Sequence, residues 1–206
     1  MLTQAGLTPR ERRFELAQDV TEVAICRFSA TDPAHYHRVS MIADVTVRLA
    51  RLADAAEIAA MSRDYIERGL PWTWTEDRVA RAIVDLETNV AVVGNSGAVT
   101  AFGIMFHTAE DAHLLLFAVR RTHQRKGVGS ALLGWLEAVA RNAGAKKIRV
   151  ECLSKNRPAR LFYSEHGYHE LTITQRMYRG VADGIHLEKW LRVESTEGPA
   201  AGPTEF

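Results

Sequence analysis

From Val45 onward the apolar positions switch between a period of two and a period near 3.6, the marks of strands and of amphipathic helices. Val45-Thr-Val-Arg-Leu49 alternates as a half-buried strand does. Asp54 followed by Glu57 resembles a capping box, and Ile58, Met61 and Tyr65 then recur at helical spacing until Gly69 stops the helix. Thr75 stands as the cap of a second helix, with Glu76 and Asp77 in its first turn and Val79, Ile83 and Leu86 on one face. Residues 89–93, the turn Gly94-Asn-Ser-Gly97 and residues 99–107 predict a hairpin. Residues 112–119 are continuously apolar, which predicts a strand buried on both faces. A strong helix follows over 130–143, with Leu132, Leu133, Leu136, Val139 and Ala140 inward, then a strand over 147–153. Asn156-Arg157-Pro158 opens a helix ending at His166-Gly167, and 168–177 and 185–190 read as closing strands. Helices covering a mixed sheet make the fold α/β (α+β).

The ends read differently. Residues 1–40 carry a charge cluster, Pro9-Arg-Glu-Arg-Arg13, and an aperiodic stretch, with room for a short helix over 9–24 capped by Thr8. The reading is an N-terminal extension over 1–40, a domain over 41–193 that makes Met41 a candidate start, and a Gly/Pro/Glu-rich disordered tail over 194–206.

Composition then excludes whole classes. Lys and Arg number 26 against 25 Asp and Glu, and 47% of the 206 residues are hydrophobic. That balance argues against disorder and against a protein built to neutralise nucleic-acid phosphates. No apolar run approaches the ~20 residues of a membrane span, and residues 1–18 lack the apolar stretch of a signal peptide. Cys26 and Cys152 are not a disulfide framework, and the eight histidines have no ligand spacing with them, so no metal is expected. These features predict a cytoplasmic protein with neither nucleic acid nor membrane as partner.

The stretch from Leu114 to Leu133 carries the chemistry: strand, basic glycine loop, helix. A helix start leaves backbone N–H groups without partners and places partial positive charge there. Gly127 and Gly129 allow close approach to those groups, and Arg120, Arg121, Arg125 and Lys126 surround them, so a pyrophosphate fits. Leu132 stands where a dinucleotide fingerprint needs its third glycine, and the Gly-Lys-Ser/Thr of a Walker loop is absent. A surface turn with solvated basic residues is the competing reading.

Gln124-Arg-Lys-Gly127-Val-Gly129 resembles the Gln/Arg-x-x-Gly-x-Gly/Ala signature of the GCN5-related N-acetyltransferase (GNAT) family. A second signature follows in the right order: Glu151-Cys-Leu-Ser-Lys-Asn156-Arg-Pro-Ala159-Arg-Leu-Phe162-Tyr163, then His166-Gly167-Tyr168. The resemblance runs from near Val45 to about Leu191. It implies a mostly antiparallel sheet splayed between its two central strands, a bulge before the glycine loop, and acetyl-CoA as co-substrate. By the same resemblance Phe117, Ala118 and Val119 offer backbone groups to the pantetheine arm and the acetyl carbonyl. Gln124, Arg125, Lys126, Gly127, Val128, Gly129 and Ser130 hold the pyrophosphate. Asn156 contacts the cofactor arm, or is an ordinary helix N-cap, or both.

Within the family the likeness is to the branch that acetylates protein N-terminal α-amines, ribosomal-protein alanine acetyltransferases included. It rests on Glu151, Tyr163, the aromatic loop Leu70-Pro71-Trp72 and the closing segment from Tyr178 to Asp183. Ala182-Asp183-Gly184 departs from the usual Glu-Asp-Ala, and Arg176-Met177-Tyr178 from paired tyrosines. A free α-amine titrates near 7.7–8.0, about two units below lysine, so a carboxylate beside it has modest work as base, directly or through water. Glu151 fits that role if its strand face is enclosed; pairing with Arg149 or another cation is the plain alternative. Tyr163 suits protonation of the departing thiolate, against a role as core filler beside Phe162. Trp72, Trp74 and Tyr178 are candidate acceptor-binding residues, the two tryptophans serving otherwise as a hydrophobic plug. Three functions follow: direct acetyl transfer to a protein or peptide α-amine; the same transfer to a small amine such as a polyamine, amino acid or antibiotic; or a CoA-binding module without turnover. Monomer and homodimer both remain open.

Overall fold

The structure, a computed structural model, describes residues 45–178 and 180–191. The helix expected over 9–24, the boundary at Met41 and the tail over 194–206 lie outside the described residues.

Strands β1 (Val47–Leu49), β2 (Thr88–Asn95), β3 (Ala98–His107), β4 (Asp111–Val119), β5 (Lys147–Leu153), β6 (His169–Tyr178) and β7 (Ala182–Trp190) form one sheet. Their order is β1-β2-β3-β4-β5-β7-β6. All neighbours pair antiparallel except β4 and β5, which run parallel. A parallel pair needs a crossover, and here α3 (Val128–Asn142) supplies it. Helices α1 (Ala55–Met61) and α2 (Glu76–Val84) cover one face of the sheet, while α3 and α4 (Arg157–Glu165) cover the other.

Each face has its own core. Leu132, Leu133, Leu136 and Val139 of α3 pack with Met105, Leu114, Ile148, Val150 and Ile185. Ile58 and Met61 of α1 and Val79 of α2 pack with Val92, Phe102, Ile104 and Leu116 on the opposite face. Strand alternation sends neighbouring residues such as Ile104 and Met105 to different cores.

Several expectations are corrected. The first helix does not run unbroken to Gly69: a 3-10 turn (Leu52–Asp54) leads into α1, and a π turn (Ser62–Ile66) follows it. Asp54 does not cap through its side chain, because the Arg48 guanidinium (2.7 Å) and the Arg51 N–H take up its carboxylate. Glu57 turns instead to Arg120, at 2.6 Å. Thr75 is the N-cap of α2 by position but makes no side-chain cap, and the helix ends before Leu86, which is exposed. Strand β4 is not buried on both faces; buried and half-buried residues alternate along it. An apolar run signals burial on both faces only where both faces are equally covered, and the end of β4 is not.

Candidate active site

Two central strands part company midway. β4 and β5 are paired from Asp111↔Lys147 to Leu114↔Val150 and no further. Beyond that point β4 stays with β3 through Val119, and β5 stays with β7 through Leu153. The β3–β4 register slips there as well: Met105 faces Leu114 while Ile104 faces Leu116, leaving Leu115 as an extra residue. The bulge exchanges the faces of the strand. Ala112 and Leu114 belong to the α3/α4 core, whereas Leu116 and Ala118 belong to the α1/α2 core. After the slip Phe117 and Val119 therefore point toward α3 and α4.

Backbone direction follows from the ladder. The Arg120 N–H donates to Thr100 O, which makes Thr100/Arg120 and, two residues back, Phe102/Ala118 the hydrogen-bonded pairs. The N–H and C=O groups of Phe117 and Val119 thus face the gap, while those of Ala118 are engaged by β3. The Gln124 amide donates to Val119 O at 2.9 Å from the gap side. Gln124 is therefore tied to the strand edge rather than extended into the loop.

The glycine loop is shaped by two residues with positive φ, Arg125 at 61° and Gly127 at 78°. Gly127 is the N-cap of α3 and provides no side-chain cap; the first helical bond runs from Ala131 N–H to Gly127 O at 2.9 Å. The preceding N–H groups of Val128, Gly129 and Ser130 come before that bond and so point out of the helix end. Gly129 is required for a different reason. A β-carbon there would meet the Phe162 ring at 3.3 Å and Val119 Cγ2 at 3.5 Å, so its absence lets α3 and α4 close on the gap. Phe162 in turn stacks on Phe117 with ring centroids 5.6 Å apart. Ser130 meets His166, whose Nε2 lies 3.0 Å from its hydroxyl while Nδ1 faces Phe162 O at 2.7 Å.

Asn156 caps α4, its Oδ1 accepting the Ala159 N–H at 3.2 Å. Tyr163, one residue past Phe162, is buried in the α3/α4 core against Tyr168. Burial raises its hydroxyl above the ordinary tyrosine value, and the neighbouring Cys152 and Tyr178 add to the rise. Burial likewise pushes the Cys152 thiol up to about 11, which keeps it an inert neutral group. Tyr178 is raised by burial and by proximity to Cys152 and Glu151. Tyr163, Cys152, Tyr178 and Glu151 are thus gathered where β5 leaves β4.

Glu151 faces away from Ile148, Val150 and Cys152, as strand alternation requires. Its face is open rather than enclosed, with the side chain 32% exposed. Arg149, named in the alternative reading, pairs with Asp111 instead, and the group beside Glu151 is His186, with Nδ1 3.1 Å from Oε1.

The two tryptophans separate. Trp74 is buried in the α1/α2 core with Arg78 stacked 4.1 Å above its ring. Trp72 is exposed, with Arg63 5.6 Å from its ring. Arg78, Arg81, Asp85, Thr88 and the bulged Leu115 join Trp74 around a cleft of about 240 Å³. The loop carrying both tryptophans hangs on Glu67, whose buried carboxylate accepts from Thr73 N–H (2.7 Å), Thr73 Oγ1 (2.6 Å), Trp74 N–H (3.2 Å) and Ser62 Oγ (3.0 Å). Sequence reasoning missed Glu67 and His186: the first reads as a surface charge at a helix end, the second as one residue of an alternating strand. The departure at Gly184 has a structural counterpart, since a β-carbon there would collide with the Met177 side chain lying over it. Among the described residues no three His, Cys, Asp or Glu side chains gather to hold a metal, and no helix is long and apolar enough to cross a membrane.

Comparison with known proteins gives a consistent answer. An uncharacterized N-acetyltransferase, CT2212 of Chlorobaculum tepidum, is 29% identical over 130 residues, 63% of this chain and 78% of that protein. The crystal structure of the ribosomal-protein-S18-alanine N-acetyltransferase from Escherichia coli superposes with a TM-score of 0.60 at 24% identity, over 76% of this chain and 98% of that one. The PaiA N-acetyltransferase of Thermoplasma acidophilum, solved in complex with coenzyme A, also gives 0.60, at 17% identity over 71% and 99%. Both superpositions show likeness of overall fold. The acetyltransferase (GNAT) family profile matches residues 51–168, from the start of the first helical segment through the glycine loop to Tyr168. The chain belongs to the acetyltransferase (GNAT) family.

Proposed function

We propose that this N-acetyltransferase moves the acetyl group of acetyl-CoA directly to the α-amine of a protein or peptide N-terminus. The observation that carries the reading is the parting of β4 and β5, with gap-facing backbone of Phe117 and Val119 on one side and Glu151 on the other. Acetyl-CoA supplies the thioester that is attacked. The unpaired edge of β4 suits an extended amide-bearing arm, and the outward N–H groups of Val128, Gly129 and Ser130, with Arg125 and Lys126 beside them, suit its pyrophosphate. Asn156 caps α4 through its Oδ1, which leaves its side-chain NH₂ able to donate to the arm.

Glu151 takes the proton from the amine, directly or through a water, as the new N–C bond forms. One gap-facing N–H, of Phe117 or of Val119, meets the acyl oxygen and stabilises the charge that grows on it as the bond to sulfur breaks, while the other, about 6.6 Å along the strand, is left for the pantetheine arm. Tyr163 donates its proton to the departing sulfur as the C–S bond breaks; burial keeps its hydroxyl protonated at neutral pH but makes it a weaker acid, so the transfer is concerted with bond cleavage. The attacking amine is placed by the open face around Glu151, flanked by the Trp72 loop and the turn between β6 and β7. An extended peptide end fits an open groove of that kind.

The cleft beside Leu115 favours a second acceptor class. Arg78, over the Trp74 ring, and Arg81, lining the same cleft, are suited to the carboxylate of a small amino acid as acceptor. A thiol-release assay compares Ala- and Ser-starting peptides, their N-terminally blocked forms and a panel of free amines and amino acids. Turnover of free-ended peptides, lost on blocking, is expected; activity confined to the small amines would overturn the choice of acceptor.

A further inference from the structure

Glu151 and His186 stand directly opposite each other in the β5–β7 ladder. Their side chains meet on the open face of the sheet, with Glu151 Oε1 3.1 Å from His186 Nδ1. The other ring nitrogen, Nε2, lies 2.9 Å from Thr174 Oγ1 on β6. We propose that His186 is a positioning residue for Glu151, holding one carboxylate oxygen so that the other meets the acceptor amine; the proposal rests on the reading of Glu151 as the proton acceptor.

Hydrogen-bond arithmetic selects the form of the ring that does this. An ionised carboxylate only accepts, so Nδ1 carries the hydrogen. In the neutral ring Nε2 is then left with a lone pair and accepts from the Thr174 hydroxyl. Thr174 holds the imidazole at Nε2 while Nδ1 lies in charge contact with Glu151 Oε1 at 3.1 Å, so turning the ring takes it away from the carboxylate. Among the described residues no hydrogen bond to the Glu151 carboxylate competes with that contact, which leaves Oε2 for the amine or a bridging water. A carboxylate on an open face with no such tether would sample several rotamers and spend little time aimed at the gap.

The other charged and titratable groups facing the pair are accounted for. His113 on β4 is in electrostatic contact with both members, burial lowering its own titration below the usual histidine value. Arg149 on β5 is engaged by Asp111, and Glu188 on β7 by Lys147. Tyr178 on β6 lies near Glu151 with its hydroxyl raised, and so stays neutral.

The test uses the full chain with a free-ended peptide and acetyl-CoA. His186→Ala should lower kcat roughly tenfold to a hundredfold, the cost of letting a catalytic group drift, with KM for acetyl-CoA unchanged. His186→Asn keeps an N–H donor near the Nδ1 position and should restore most of kcat. His186→Ala added to Glu151→Gln should cost nothing further, because there is no base left to aim. Wild-type kcat in His186→Ala, with Glu151→Gln impaired, would overturn the proposal and leave the base reading standing. Wild-type kcat in Glu151→Gln at low pH would overturn the base reading itself, and this proposal with it. Equal losses in His186→Ala and His186→Asn would make the histidine merely structural and also overturn it.

Discussion

Replacing Glu67 by glutamine exchanges one carboxylate oxygen for an NH₂ and should loosen the whole tryptophan loop. Its carboxylate accepts from Thr73 N–H and Thr73 Oγ1 through Oε1, and from Trp74 N–H and Ser62 Oγ through Oε2. A glutamine can keep its carbonyl oxygen on the Thr73 side, but its NH₂ then confronts the Trp74 N–H, donor against donor. The Ser62 hydroxyl can rotate to accept; the backbone N–H cannot. A stranded buried N–H costs about 1–3 kcal/mol. The remaining bonds also lose their charge assistance, which makes such bonds roughly twice as strong as neutral ones. A total near 3 kcal/mol corresponds to a fall in Tm of roughly 6–12 °C for a domain of this size. Trp74 lines the cleft beside Leu115, Trp72 is exposed in the same loop, and the proposed function puts this loop on the acceptor side. KM for the acceptor should therefore rise several-fold while acetyl-CoA affinity, read by isothermal titration, holds. An unchanged Tm together with an unchanged acceptor KM would refute the assignment of Glu67 as the anchor of that loop.

Other outcomes follow from the geometry. Gly129→Val should abolish acetyl-CoA binding in a folded protein, because its methyls are driven onto the Phe162 ring and into the gap; overpacking of about 1–3 kcal/mol stays within the stability of a typical domain. Unchanged affinity by titration calorimetry would contradict the placement of the cofactor. Glu151→Gln should slow turnover most at low pH, where little amine is already neutral, and recover as pH rises; a uniform loss across pH would argue for a structural role. Tyr163→Phe should lower kcat by ~10²-fold or more with little change in acetyl-CoA affinity. The carboxyl of Asp54 is held down to about 2, from an ordinary value of 3.8, chiefly by its hydrogen bond to Arg48. A depressed carboxyl stabilises fully above its unfolded value, so acid unfolding monitored by fluorescence should draw on this pair as pH falls from about 4 to about 2. Arg48→Leu should flatten that part of the curve, and an unaltered acid limb would show that the pair contributes nothing there.

Periodicity was enough for the strands and for α3 and α4, because each is an amphipathic element packed on one large core, and for those the spacing of Leu132, Leu136 and Val139 is the packing. It misread β4 because the strand changes its own rules halfway. Up to Leu114 the even residues face α3; after the extra residue Leu115 the odd ones do, and a run of apolar residues conceals the exchange since every position in it is acceptable to either core. That exchange is what the site is made from. It carries Phe117 toward Phe162 and the α3 terminus, frees the strand edge from β5, and leaves Leu115 at the rim of the acceptor-side cleft. The first helix was misjudged for a related reason: Asp54 and Glu57 have the spacing of a capping box, but arginines distant in sequence, Arg48 and Arg120, claim both carboxylates. Glu67 and His186 follow the same logic from the other side, since neither has a local pattern and each is defined by partners on other segments. The motifs legible in the chain are those whose meaning is contained in one loop and one helix, which is the cofactor side. In the proposed function the acceptor side is assembled from β5, β6, β7 and the tryptophan loop. On that proposal its specificity rests on long-range pairs such as Glu151 with His186, and substitutions there should alter the choice of acceptor while the glycine loop continues to bind the same cofactor.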